Sequence, residues 1–416
     1  MSIIPNQALQ RSTARWLERA EQALEAGQYQ ESVRLALGAL QRCELAFGPS
    51  SPELVNVLMT SMNALGGLGD LDEAHRHGTR AAQLSRRVRK GTERLQLRVQ
   101  VQLYLADLER RQARYRRAKS RLQRALLFAE RALGPRDPTV AALHNELGVV
   151  CKYMGAFNEA GTAYRRALAI LKPQVDEHDL RLGGIYHNLG GLAHARGHFR
   201  RALPPARRAL AIRRRALGPR HPDVAHTAAG LAAILDACGE RREAERLYRE
   251  AIAALQRIYG VHHPQLAFQL ANFGALLHRS GRPAEALRYY RRALALKKAT
   301  HEADPTLCLI LNNLAALYQE RGLLRRALPL SEEALRVFRA TLGDKHPSVT
   351  ACRENHQLLL ERLRGSLARP RERKRTRGPG RTGRTSRSMA SGARPKNELS
   401  VRTRSASLRT ASRAPR

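Results

Sequence analysis

Between His221 and Gly260 the apolar residues recur with a helical period, twice. Val224, Ala228, Leu231, Ala232 and Leu235 fall at i, i+4, i+7, i+8 and i+11, one face of a 3.6-residue repeat. After Gly239 a second stripe runs through Ala244, Leu247, Tyr248, Ala251, Ile252, Leu255, Ile258 and Tyr259 and stops at Gly260. Pro222 suits the first position of a helix, where its missing N–H is no loss, and Asp223 puts negative charge in the first turn. Glycine closes a helix because it enters the left-handed conformation without a steric penalty. The stretch predicts an antiparallel helix pair. Neither helix can bury its stripe against the other alone.

The rest of the chain supplies the partners, because the unit recurs. Gly27, Gly69, Ala113, Gly155, Gly197, Gly239, Gly281 and Gly322 follow one another at spacings of 42, 44, 42, 42, 42, 42 and 41 residues. Twelve residues beyond each stands an alanine (Ala39 in the first copy, Ala251 in the sixth, Ala334 in the eighth), and five beyond each stands Ser32 or an alanine. Seven residues before, the side chain is small in every copy except Met62 of the second. Small residues at three fixed offsets specify a close approach of helix backbones, and a fixed period of this size means a stacked solenoid. The fold expected is all-α: about eight helix pairs over residues 10–347, after a leader at 1–9. One capping helix at 348–365 then ends the stack, with a polar outer face. The residues from 84 to 102, which carry a basic run and the 44-residue spacing, predict an irregular junction.

Leu147, Gly148, Cys151, Ala160, Tyr164 and Ala167 carry a resemblance. They match the tetratricopeptide pattern of L-G-x-x-Y followed by A-x-x-x-F-x-x-A. The 42-residue unit, with G-P-R-H-P at 218–222, V-H-H-P at 261–264 and G-D-K-H-P at 343–347, is similar to the kinesin-light-chain type of that family. The resemblance covers roughly residues 10–365 and implies a right-handed superhelical solenoid that acts as an interaction scaffold. Trp16 matches the family's tryptophan, while Arg19 stands where the leucine of L-G belongs. The proline that closes the 34-residue unit is replaced by about two further helical turns. No heptad coiled coil precedes the repeats, which argues against motor association in the manner of kinesin light chains.

In such a stack the first helices line the concave face. The stripe at 13, nine, six and two residues before each turn is expected to face the groove. Nine before the turn stand Glu146, Asn188, Gly230, Asn272 and Asn313, flanked by Asn145 and Asn312. Six before it, Val149, Gly191, Ala233, Ala275 and Ala316 leave room for a ligand backbone. An asparagine amide both donates to and accepts from an extended peptide, and the resemblance implies that role for Asn188, Asn272 and Asn313. Inter-helix hydrogen bonding is the competing use of such a row. The groove edge is mixed, with Lys152 and Arg279 as its cations, so the ligand sequence is not legible.

Charge changes the picture more than size does. The 416 residues carry 74 Lys and Arg against 36 Asp and Glu, a net charge of +38. From Arg369 onward 16 basic and 2 acidic residues contribute +14, leaving +24 for the repeats. Acidic proteins, nucleic acid or an anionic surface are the partners this implies, although compositional drift towards Arg and Ala explains the repeat charge equally well. Residues 366–416, without aromatics beyond residue 369 and dense in Arg, Ser and Gly, predict a disordered tail. Within it Arg371, Arg373, Lys374, Arg375, Arg377 and Arg381 are the candidate phosphate contacts, electrostatic and blind to sequence. Five dispersed cysteines point to a reducing compartment, and with no secretory or membrane-spanning stretch the protein is expected in the cytoplasm, with no membrane insertion. The histidines of the H-P turns suit helix capping better than metal binding, and no nucleophile–base order or phosphate loop is present. No cofactor, metal or catalytic residue is expected. The reading is a scaffold whose concave groove holds a segment of an acidic protein or peptide; the alternative is an adaptor that binds nucleic acid non-specifically through the basic tail.

Overall fold

In the computed structural model the described residues are 7–25, 28–88, 91–299, 305–344 and 346–368. They form eight helix pairs in chain order: α1 (Gln7–Glu25) with α2 (Tyr29–Phe47), α3 (Leu54–Leu68) with α4 (Leu71–Leu84), and α5 (Thr92–Arg111) with α6 (Tyr115–Leu133). Then come α7 (Pro138–Tyr153) with α8 (Phe157–Leu171), α9 (Leu180–Ala195) with α10 (Phe199–Leu217), and α11 (Pro222–Cys238) with α12 (Arg241–Tyr259). The last pairs are α13 (Leu266–Arg279) with α14 (Pro283–Lys298) and α15 (Pro305–Glu320) with α16 (Leu324–Leu342), and α17 (Pro347–Ala368) closes the series. No strand occurs among the described residues. The expected leader falls mostly outside them, and the tail from 369 onward lies outside them, including all six of its candidate residues.

The three small-residue rows are the contact surfaces. All eight residues five beyond the turn, from Ser32 to Ala327, are fully buried, and the eight alanines twelve beyond are buried as well. Inside the pairs the glycines leave room for aromatic rings: a Cβ on Gly148 would lie 2.5 Å from the Tyr164 ring, and one on Gly274 2.9 Å from the Tyr290 ring. In the first pair Ser32 donates its hydroxyl to the Ala20 carbonyl at 2.7 Å, so one hydrogen bond joins two of the rows. Turns close as the glycines require, with Gly239 left-handed at φ 91°. Ala113 holds the same place in the third pair at φ 57°, a conformation that an L side chain resists.

The H-P turns cap the helices that follow them. His221, His263 and His346 each accept, through Nδ1, the backbone N–H two residues on. Where the H-P form is lost a carboxylate takes over: Asp137 accepts from Thr139 N at 2.7 Å and Asp179 from Arg181 N at 2.8 Å. The long spacing is absorbed by α5, which at 20 residues is the longest first helix.

The right-handed superhelix turns tightly enough for distant repeats to touch. Gln265, at the start of the seventh pair, donates its amide to the Tyr29 hydroxyl of the first at 3.3 Å. Leu342 of the eighth pair packs against the cluster that Tyr153 and Met154 of the fourth flank. These contacts between successive turns have no counterpart in the repeat pattern.

Candidate functional site

The first helices are buried on most of their circumference, and the expected groove stripe is what stays accessible. The residues nine before the turn in repeats four to eight, and those six before it, are all half-buried; their neighbours Gly148, Gly190, Ala232, Gly274 and Ala315 are buried. The floor is low. A Cβ on Gly184 would come no closer than 3.9 Å to Arg213, and one on Gly191 no closer than 3.9 Å to the Lys152 ammonium. Curvature brings residues of non-adjacent repeats together, since Arg279 of α13 acts electrostatically on His194 of α9.

The structure sorts the candidate residues into two groups. Asn188 donates to Asn145 Oδ1 at 2.9 Å, tying α9 to α7, and Asn145 donates to Glu146 at 2.9 Å. Asn312 accepts from Asn355 of α17 at 3.4 Å. The Arg279 guanidinium is engaged by the buried Asp236 carboxylate, with Nε at 3.1 Å. These four hold the inner helices to one another. Asn272, Asn313 and Lys152, by contrast, make no hydrogen bond or ion pair among the described residues.

Lys152 lies beside Arg110 of α5, whose guanidinium is paired with Asp107. Burial pushes its ammonium below the ordinary lysine range, and Arg110 of α5 pushes in the same direction. His187 is held down to about 4 by burial and by Arg213 and Lys152, so it is neutral near pH 7. His226, beside Gln269 at 2.9 Å, is likewise depressed by burial. Arg213 reaches the site from a second helix, binding Thr227, with its Nε buried and unpartnered. Further along, Phe268, on the stripe thirteen before the turn, leaves an apolar ring 47% exposed. Sequence reasoning missed Arg110, Arg213, His187, His226 and Phe268. The stripe thirteen before the turn already contained His226 and Phe268; Arg213 carried no such mark, because its row on the second helices is otherwise a buried one. Among the described residues no group of three His, Cys, Asp or Glu side chains is placed to hold a metal ion.

Family profiles described as tetratricopeptide repeat match residues 97–172, 181–257, 231–299, 23–53 and 307–348, well over half of the chain. The chain belongs to the tetratricopeptide repeat family. No curated protein sequence matches it. Among solved structures it is similar to the Rap conjugation gene regulator of the plasmid pLS20 in complex with the Phr* peptide. The TM-score is 0.55 at 16% identity, over 80% of this chain and 99% of that one. It is also similar to a Rap protein complexed with competence and sporulation factor, with a TM-score of 0.52 at 14% identity over 85% and 99%. BtubC (BKLC) from P. vanneervenii matches at 24% identity over 60% of this chain and 92% of that one, with a TM-score of 0.43. The likeness to the two Rap structures bears out the all-α solenoid fold. All five cysteines are free thiols, four of them buried, and among the described residues no helix is long and apolar enough to cross a membrane.

Proposed function

We propose that this tetratricopeptide protein is an interaction scaffold that binds an extended segment of a partner protein in its concave groove. The observation that carries the reading is the set of polar groups along the groove with no hydrogen-bond or ion-pair partner among the described residues: the Asn272 and Asn313 amides and the Lys152 ammonium, which meets only the Tyr153 ring at 5.6 Å, above a floor of glycine and alanine. A half-buried amide without a partner is desolvated at a cost, which a ligand backbone would offset by supplying both donor and acceptor. The solved complexes of the two Rap proteins, one with the Phr* peptide and one with competence and sporulation factor, support a peptide as the kind of ligand such a groove takes.

The chemistry favours an acidic ligand residue at one end. Lys152 lies beside Arg110, which is held by Asp107, and acts on the neutral His187, so a ligand carboxylate there would pair with an ammonium that has no counter-ion among the described residues. Phe268 offers an apolar contact at the other end, beside Asn272 one helical turn on. Selection of a random-peptide display library on the full chain tests this. The expected result is enrichment of peptides with an acidic residue, whose binding falls at least about tenfold in Lys152→Gln and in the Asn272→Ala/Asn313→Ala double variant. Selected peptides that bind all three proteins equally would place recognition elsewhere.

A further inference from the structure

The excess positive charge is not spread evenly over the fold. The eight first helices, α1 to α15 in odd order, balance to a net charge of zero, while the eight second helices carry +21. Drift in composition alone would load both sets. Within the second helices the charge is again concentrated: α6 has six basic residues against one glutamate, and α10 has seven arginines and no acidic residue. With α8 between them, these helices make one continuous outer surface over repeats three to five.

What marks this surface is the density of its cations, six of which lack a counter-ion among the described residues. In α12, Arg246 pairs with Glu250 at 2.7 Å and Arg249 with Glu245 at 2.8 Å, and further arginines elsewhere on the exterior are neutralised in the same way. On α6, α8 and α10, Lys119 pairs with Glu159, Arg207 with Glu240 and Glu243, Arg208 with Glu177 and Arg214 with Glu250, while Arg116, Arg117, Arg166, Arg200, Arg201 and Arg215 are exposed with no carboxylate within 4 Å among the described residues. Unscreened like charges repel, so such a cluster costs stability unless an anionic partner covers it.

We propose that the convex face of α6, α8 and α10 is a docking surface for the phosphodiester backbone of a nucleic-acid duplex, independent of the groove. The composition of the patch selects that partner. Its cations are guanidinium groups, whose planar fork of donors matches phosphate oxygens in pairs. It presents no exposed aromatic ring and one exposed large apolar residue, Leu127, so it lacks the buried anchors of a protein–protein contact and the apolar face of a membrane-surface helix. A 19-residue helix such as α10 is about 28 Å long, close to the 34 Å of one duplex turn, so a duplex along it keeps several arginines in reach. Contact with the backbone alone reads no sequence.

The test is the salt dependence of binding by the full chain to a random-sequence DNA duplex of roughly 20 base pairs, between about 50 and 200 mM salt. One variant replaces those six arginines by Gln. A control replaces six paired arginines (Arg34, Arg76, Arg80, Arg246, Arg249 and Arg339), which lowers the net charge equally. Each phosphate contact contributes about 0.9 to the slope of log K against log[salt], so the patch variant is expected to lose about 3 or more and the control less than 1. Peptide binding in the groove should be unchanged in both. Equal loss in the two variants would reduce the effect to net charge and overturn the proposal. It would also be overturned by a patch variant that keeps its duplex binding, including one that loses only binding to phosphatidylserine vesicles.

Discussion

The side-chain amide of Asn188 donates to Asn145 Oδ1 across 2.9 Å, and this bond joins the first helices of the fourth and fifth repeats. Two and three repeats further on, Asn272 and Asn313 hold the register of Asn188 without any such partner among the described residues. One row of asparagines therefore serves two purposes. Asn145→Ala leaves the Asn188 amide without its acceptor and should lower stability by about 0.5–1.5 kcal/mol in urea denaturation. Asn272→Ala and Asn313→Ala should stay within about ±0.5 kcal/mol, and their effect should appear in peptide binding instead.

The glycines of the first helices should divide in the same way. Gly148→Ala drives a methyl group into the Tyr164 ring, 2.5 Å away, and should destabilise by about 1–3 kcal/mol. Gly191→Ala meets nothing closer than the Lys152 ammonium at 3.9 Å and should stabilise by up to about 1 kcal/mol, since alanine is the better helix former. The same methyl group raises the groove floor, so peptide affinity should fall while the melting temperature rises.

Ala113 carries a local strain that glycine would relieve. At φ 57° its Cβ crowds the following carbonyl, so Ala113→Gly should raise stability by about 1 kcal/mol in chemical denaturation. Gly239→Ala, at φ 91°, is the reverse exchange and should lower it by a similar amount.

Eight histidines, among them His144, His187, His226, His263 and His346, are held below their ordinary value, in each case chiefly by burial. For a depressed imidazole the unfolded chain binds the proton first. Stability is therefore full above the unfolded value of 6.5 and is lost as pH falls towards the folded value, about 4 for His187. His346 and His263 add to the loss, because a protonated Nδ1 cannot accept the helix-capping N–H. Melting temperature should fall steadily from about pH 6.5 to pH 4, and His187→Gln should flatten the profile.

The repeat register was legible because three rows of small residues mark backbone contact, and contact between neighbours depends only on local spacing. The groove stripe was legible for the same reason. Partnering was not. Asn188 and Asn272 are the same residue at the same offset, and what separates them is whether Asn145 has a counterpart one repeat back: in the repeat before Asn272 that place is Ala229. The Tyr29–Gln265 contact was beyond reach because it depends on the superhelical pitch, a small rotation summed over six repeats. Within the repeats charge was legible only as a total, since its division between inner and outer helices appears once the helices are placed.

The central claim is that a partner segment lies in the concave groove, and photocrosslinking from inside the groove tests it most directly. Benzoylphenylalanine in place of Phe268 keeps the native phenyl ring and extends it from an exposed position of the groove stripe; in place of Leu127 it extends from an exposed position of α6. A peptide selected on the full chain, irradiated with each protein, should crosslink from position 268 and not from 127. Crosslinking from 127 alone, with binding of the peptide intact in both proteins, would contradict the groove as the binding site.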